Sequence, residues 1–354
     1  MQIQLQPNPI IVKELRSRMR GGRPYLILSG YLFGLGLICY AVIRIFESQA
    51  QTGTAVISAH VGQGLFAALA LAEILLITFL TPALTAGAIS SEREQLTYDL
   101  LLATPLRPGR LLSGKLIAAL SYVLLLIFAA VPLGSVILMF GGVAPKDLLK
   151  VVLLLLLTAL ATGMLGLLCS TIAKRTLRAT IMTYLIIMIM IVGAYLIVVV
   201  RMAPRQFGPP SGSRLMAINP IAAMTSIVLQ SAQGGDNMPM IAKGMPEPVA
   251  IARPAMFSSM MSSPNILLNM QPFSNLTYGV IEYKEPTGSL VLPVYRYAYV
   301  GYTLFSIACY WLASHWVRPR RRWRLGLHDL LMLGLLVGTA AAGSYWLQTW
   351  PWQP

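Results

Sequence analysis

Residues 104–116, TPLRPGRLLSGKL, set four residues between Gly109 and the pair Gly114-Lys115. Glycine-rich loops that cradle nucleotide phosphates use this spacing, with backbone N–H groups ringing the phosphates and the lysine reaching them. That chemistry also needs a strand before the loop and a Ser or Thr after the lysine to hold magnesium. Leu116 stands where the hydroxyl belongs, and Leu111 and Leu112 fill positions that a backbone nest would give to glycine. The chain is therefore expected to bind no nucleotide or other cofactor itself. Lys115 reads instead as a base at the end of an apolar helix, its ammonium snorkelling to the membrane surface.

Other chemistry-bearing residues are few. Cys39, Cys169 and Cys309 fall far apart inside apolar runs and read as small core hydrophobes; His60, His315 and His328 form no pair at metal-ligand spacing. No metal site is expected. Glu73 sits in ALALAEILLITFL, where a carboxyl is costly unless it faces a helix interior, pairs or takes a proton. It is a candidate for a transport pathway, with a structural hydrogen bond as the alternative. Arg44 and Glu47, one turn apart, are expected to pair locally. Gly30, Gly34 and Gly36 offer a small face for close helix contact.

The elements that must position these residues follow from composition. Hydrophobic residues make up 56% of the 354 and charged residues only 11%, less than half the roughly 25% of soluble domains. Lys and Arg number 27 against 12 acids, but they cluster at the ends of apolar runs rather than on a basic face, which excludes nucleic acid as the expected partner. About 20 apolar residues span the hydrocarbon core. Seven stretches qualify: 25–46, 64–89, 112–140, 148–172, 179–200, 297–317 and 330–350. The first is too long for the apolar region of a cleaved signal and is expected to be retained. The expected fold is an all-α polytopic membrane bundle of six core spans plus a seventh.

Basic residues set the orientation. Lys13, Arg16, Arg18, Arg20 and Arg23 precede the first span. Arg93, Arg107, Arg110 and Lys115 follow the second; Lys174, Arg175 and Arg178 follow the fourth; Arg318, Arg320, Arg321, Arg322 and Arg324 follow the sixth. Alternation puts all four groups on one side, expected to be cytoplasmic, whereas the opposite short connections hold only Lys146. The amino terminus is then inside and the carboxyl terminus outside a cytoplasmic (inner) membrane. The connection 201–296 is expected to be extracytoplasmic, broken by prolines and glycines, with AINPIAAMTSIVLQ forming a short or re-entrant helix too short to span.

Two segments on the basic side are amphipathic. Within residues 1–24, NPIIVKELRSRMRGGRP offers Asn8 as a helix cap and Pro9 as first residue. Ile11, Leu15 and Met19 share one face, and Lys13, Arg16 and Arg20 another. This reads as a helix lying on the inner leaflet, or simply as charges that fix topology. The second is SSEREQLTYDLLLATPLRPGRLLSGK, residues 90–115. Ser91 can cap a helix over Glu92 to Ala103, with Glu94 completing a capping box; Glu92, Gln95 and Asp99 share one face and Leu96, Leu100 and Ala103 the other. Pro105 ends it, and Arg107-Pro108-Gly109 turns the chain back.

This second pattern resembles the first cytoplasmic loop of type 2 ABC-transporter permeases: acidic residues, a Thr, a Leu-Leu pair and Thr-Pro-Leu ahead of a Gly-Lys that opens the next span. The resemblance extends over about residues 8–230 and 297–317, while the long outer connection and the seventh span depart from it. It implies a coupling helix that docks a separate nucleotide-binding ATPase subunit, carried by Glu92, Arg93, Glu94, Thr97, Asp99, Leu100, Leu101, Thr104 and Pro105 within loop 90–112. It further implies a second permease protomer, homo- or heterodimeric, an exporter's direction, and ATP with magnesium on the partner. The rival readings are an integral-membrane enzyme acting on lipid, for which the sequence offers no HExxH, GxSxG or paired intramembrane Asp, and an ATP-independent transporter, which would favour internal repeats.

Overall fold

The computed structural model describes Glu14, Arg16 and residues 22–50, 57–97, 108–202, 214–232, 241–242, 280–284, 288–292, 294–317 and 327–349. The long helices are α1 (Arg23–Ala50), α2 (Ile57–Thr85), α4 (Pro108–Phe140), α5 (Pro145–Ile172), α6 (Thr176–Met202), α8 (Val294–Trp316) and α9 (Leu327–Thr349). Two short ones are α3 (Ser90–Glu94) and α7 (Pro220–Ala232). The fold is the expected all-α membrane bundle, and six of the described helices are long and apolar enough to cross a membrane.

The exception among the long helices is α8, which corresponds to the expected span 297–317. Its 23 residues reach about 35 Å at 1.5 Å per residue, more than a hydrocarbon core. Yet Tyr295, Arg296, Tyr297, Tyr299, Tyr302 and Tyr310 dilute its apolarity. Those residues have somewhere to go: α8 runs against α5 and α7, with Tyr295, Arg296, Tyr299 and Tyr302 all buried. Protein covers the polar part of this helix, while Gly301, Leu312 and Trp316 stay exposed. By contrast α9 is apolar and exposed, touching the bundle through α8, where Gly343 abuts Val300.

The core lies where α2, α4, α5, α7 and α8 meet, around Ile74, Ile127, Leu154, Leu155, Met224 and Ile227. Small residues set the tightest crossing. Gly163 and Gly166 of α5 lie against Thr81 and Thr85 of α2; a Cβ on Gly166 would strike the Thr85 hydroxyl and stand 3.3 Å from the Ala86 nitrogen. This is the small-residue logic of membrane helix packing, and it operates here rather than on α1. Gly30, Gly34 and Gly36, read from sequence as a close-contact face, meet nothing within 4 Å.

The connection between α6 and α8 carries a 3₁₀ turn (Arg214–Ile218), then α7. Pro220 follows Asn219, whose Oδ1 accepts from the Ile221 N–H at 2.9 Å while its Nδ2 donates to the Ile191 carbonyl at 3.1 Å. At 13 residues, about 20 Å, α7 cannot span, and most of it is buried within the bundle. The same connection also contains what the sequence reading left out: β1 (Ile241–Ala242), β2 (Val280–Lys284) and β3 (Gly288–Leu292) form an antiparallel sheet in the order β1–β3–β2, with Glu282 opposite Leu290. The alternation in VIEYK and GSLVL is short, and the prolines and glycines around it conceal it.

Candidate functional site

One end of the bundle gathers the end of α2, α3, the start of α4, the α5–α6 connection and the end of α8. Ile89, Leu112, Leu116, Leu167, Leu168, Cys309, Ala313 and Val317 pack there as a separate apolar cluster. Lys174, Arg175 and Arg178 lie exposed beside it, so sequence segments rich in bases share this end of the molecule. Gly62 and Gln63 meet Gly141 and Gly142 at the opposite end, where Asp147 and Lys150 pair at 3.0 Å beneath Tyr295 and Tyr299. Lys150, which the sequence reading placed inside a span, therefore adds to Lys146 as a base at this second end.

The α2–α3 junction is built from outside. After Pro82 and Thr85 the helix tightens: the Ala88 N–H bonds the Thr85 carbonyl at 3.0 Å, and α3 begins one turn later. Its cap is Ile89 and no side chain of its own segment caps it, so Ser91 does not act as the expected N-cap. The role falls to Ser170 of α5, whose buried Oγ accepts from the Ile89 and Ser90 N–H groups, both at 2.9 Å. Two orphan donors at a helix start are thereby satisfied by a neighbouring span.

The helix expected over Glu92 to Ala103 stops at Glu94. The Leu96 N–H donates to the Arg93 carbonyl at 3.3 Å and the Thr97 N–H to the Glu92 carbonyl at 2.9 Å, while Leu96 takes φ of +58°. This is a Schellman termination with leucine at the left-handed position usually given to glycine. Helical periodicity in the sequence cannot reveal it, because the stop residue carries the wrong side chain for the signal. Asp99, Leu100, Leu101, Thr104 and Pro105 lie outside the described residues.

The remaining acids of α3 are committed to spans. The Lys115 ammonium lies 2.6 Å from Glu92 and 3.2 Å from Glu14, and its side chain is 5% exposed. It is therefore a buried partner of two carboxylates and not a snorkelling base. Its helix enters the bundle beneath α3, with Glu14 and Glu92 against its ammonium. Glu94, expected to complete a capping box, reaches α6: it accepts from the Thr176 N–H at 3.0 Å and the Thr176 hydroxyl at 2.9 Å, so a carboxylate sits at the positive end of that helix. Three described side chains, Glu92, Glu94 and Ser170, thus join a five-residue helix to α4, α6 and α5.

The amino-terminal candidates divide. Glu14 and Arg16 have helical backbone, Glu14 half-buried and Arg16 exposed; Lys13 and Arg20 lie outside the described residues. Glu14, an acid inside a basic run, was the signal that sequence reading passed over. Of the other candidates, Arg44 and Glu47 do pair, at 3.0 Å on an exposed face. Glu73 is buried on α2, facing a cleft between α2, α4 and α5. The cysteines are free, Cys39 half-buried and the others buried. Among the described residues no cluster of three or more His, Cys, Asp or Glu could hold a metal.

Comparison with protein families matches residues 8–312 to the ABC-2 family transporter protein, most of the chain and the bundle from α1 into α8. The chain belongs to the ABC-2 transporter family. This ABC-2 protein is accordingly a multi-pass membrane component of a transporter, a permease and not an enzyme. ABC-2 permeases generally pair with an ATPase subunit. Helix α9 follows the matched region and is additional to it. Comparison with curated proteins finds no match.

Proposed function

We propose that this ABC-2 permease is the membrane half of an ATP-driven exporter, dimerising with itself or a sister permease and driven by a separate nucleotide-binding subunit. The docking surface is α3 and the segment after it: Glu92, Arg93, Glu94 and Thr97, continuing through Asp99, Leu100, Leu101, Thr104 and Pro105. On this reading the end bearing α3 is cytoplasmic, the basic amino-terminal segment with Lys13, Arg16 and Arg20 lies along the inner leaflet, and residues 201–296 face outside. ATP and magnesium belong to the partner.

The observation that carries the proposal is the attachment of α3. A docking element transmits force only if it is fastened to what must move, and Glu92–Lys115, Glu94–Thr176 and Ser170 with the α3 amides fasten this one to three spans. Closure of the partner ATPase around its nucleotide presses on α3, and the three contacts pass the displacement to α4, α5 and α6. The helices then switch between inward- and outward-facing arrangements, with the substrate route at the protomer interface.

Co-purification from native membranes tests the reading. A nucleotide-binding ATPase should accompany the tagged chain, and combined Glu92→Ala and Glu94→Ala substitutions should lower both its recovery and the ATPase rate in the complex. Full transport by a chain purified free of any ATPase would overturn it.

A further inference from the structure

Glu73 is 4% exposed, and among the described residues no hydrogen bond or ion pair reaches its carboxyl. Ion pairs among the described residues form at Arg44, Lys115 and Lys150, away from Glu73. A buried carboxyl without a partner is an incomplete interaction, and native interiors seldom leave one unanswered. Glu73 also faces open space. A cleft of about 30 Å³ lies between α2, α4 and α5, walled by Phe66, Ala130, Val131, Val151 and other apolar side chains, with Glu73 as its ionisable group.

The donor set narrows what could fill it. A divalent cation takes six to eight oxygens, or several His, Cys and carboxylate ligands, and the cleft presents one carboxyl. An anion would meet the acid. Phe66, seven residues before Glu73 on the same helix face, adds an aromatic ring to the wall, and aromatic faces attract cations with organic character. A carboxyl and an aromatic ring in an otherwise apolar cleft form a receptor for an ammonium head on an apolar body. A primary ammonium has the bulk of about one water, which the cleft accommodates.

We propose that Glu73, Phe66 and the cleft between α2, α4 and α5 bind primary alkylammonium ligands, the head on Glu73 and the chain along the apolar walls. As a statement about cargo the proposal rests on the transport reading. As a statement about binding it stands on the isolated chain, and its failure would leave co-purification with the ATPase unaffected.

The test uses the full chain in zwitterionic phosphatidylcholine nanodiscs, with dodecylamine as probe and dodecanol as its uncharged counterpart. Calorimetric titration is corrected against empty nanodiscs. Saturable dodecylamine binding is expected, weakened at least tenfold by Glu73→Gln and retained within about threefold by Glu73→Asp. Filling the cleft with Ala130→Leu should abolish binding while Glu73 stays in place, which keeps the proposal testable should Glu73→Gln fold poorly. Equal affinity in wild type and Glu73→Gln, unchanged affinity in Ala130→Leu, or dodecanol binding as tightly as dodecylamine would each overturn it.

Discussion

Replacing Lys115 by methionine keeps the length and apolar stem of the side chain and removes the charge. In the native cluster the ammonium lies 2.6 Å from Glu92 and 3.2 Å from Glu14. At an effective dielectric near 20, Coulomb's law gives gross attractions of about 6 and 5 kcal/mol. Desolvation of the three groups, several kcal/mol per buried ion, cancels much of this, so the intact cluster adds little net stability. The substitution is different, because it leaves the buried Glu92 carboxylate without its cation. Removing one member of a buried pair costs about 3–5 kcal/mol. At about 1.3 °C per kcal/mol for a chain of this size, the melting midpoint in detergent should fall by about 4–7 °C. The double substitution Lys115→Met with Glu92→Gln should recover part of that loss, a coupling that a cycle of the four proteins measures directly. A melting midpoint within 1 °C of wild type for Lys115→Met, or no recovery in the double variant, would refute the reasoning.

Ser170→Ala removes the acceptor for two amides and should cost about 1–3 kcal/mol, read as faster hydrogen exchange at Ile89 and Ser90 in particular. Leu96→Gly relieves a left-handed leucine that is 83% exposed, so stability should rise by about 1 kcal/mol in thermal melts. Under the docking proposal the same variant should bind the ATPase more weakly, because an exposed apolar contact is lost. Gly166→Val drives a branched side chain into Thr85 and should lower stability by about 1–3 kcal/mol, whereas Gly34→Val, with open space around it, should leave the melting midpoint of the monomer unchanged.

Apolar run length and the placement of arginines were enough to read the helical bundle and to place the basic segments together, because both signals are properties of the local chain. The chemistry of α3 was legible in residue type but not in role. Glu92 and Glu94 were picked out as first-turn acids, yet their partners, Lys115 and Thr176, are set by the packing of α4 and α6. Ser170 carried no signal, since a hydroxyl in LCSTI is unremarkable until the end of α2 is laid against it. The length of α3 was misread for a different reason: its heptad-like pattern continues through residue 103, and a leucine occupies the turn position where glycine would have marked the stop. The strands between α7 and α8 were missed because five-residue alternations among prolines have too little length to register.

The partners of α3 also arrive late. Ser170 follows Ile89 by 81 positions and Thr176 follows Glu94 by 82. At about 5–20 residues per second, a ribosome delivers them about 4–16 s after α3 itself. Through that interval the start of α3 has no cap and its end no tether to α6. Under the docking proposal, the surface offered to the ATPase is completed only when the fifth and sixth helices are in place, so a nascent or truncated chain ending before Ser170 would present no finished docking element. On that proposal a serine and a threonine order assembly with the engine after assembly of the bundle.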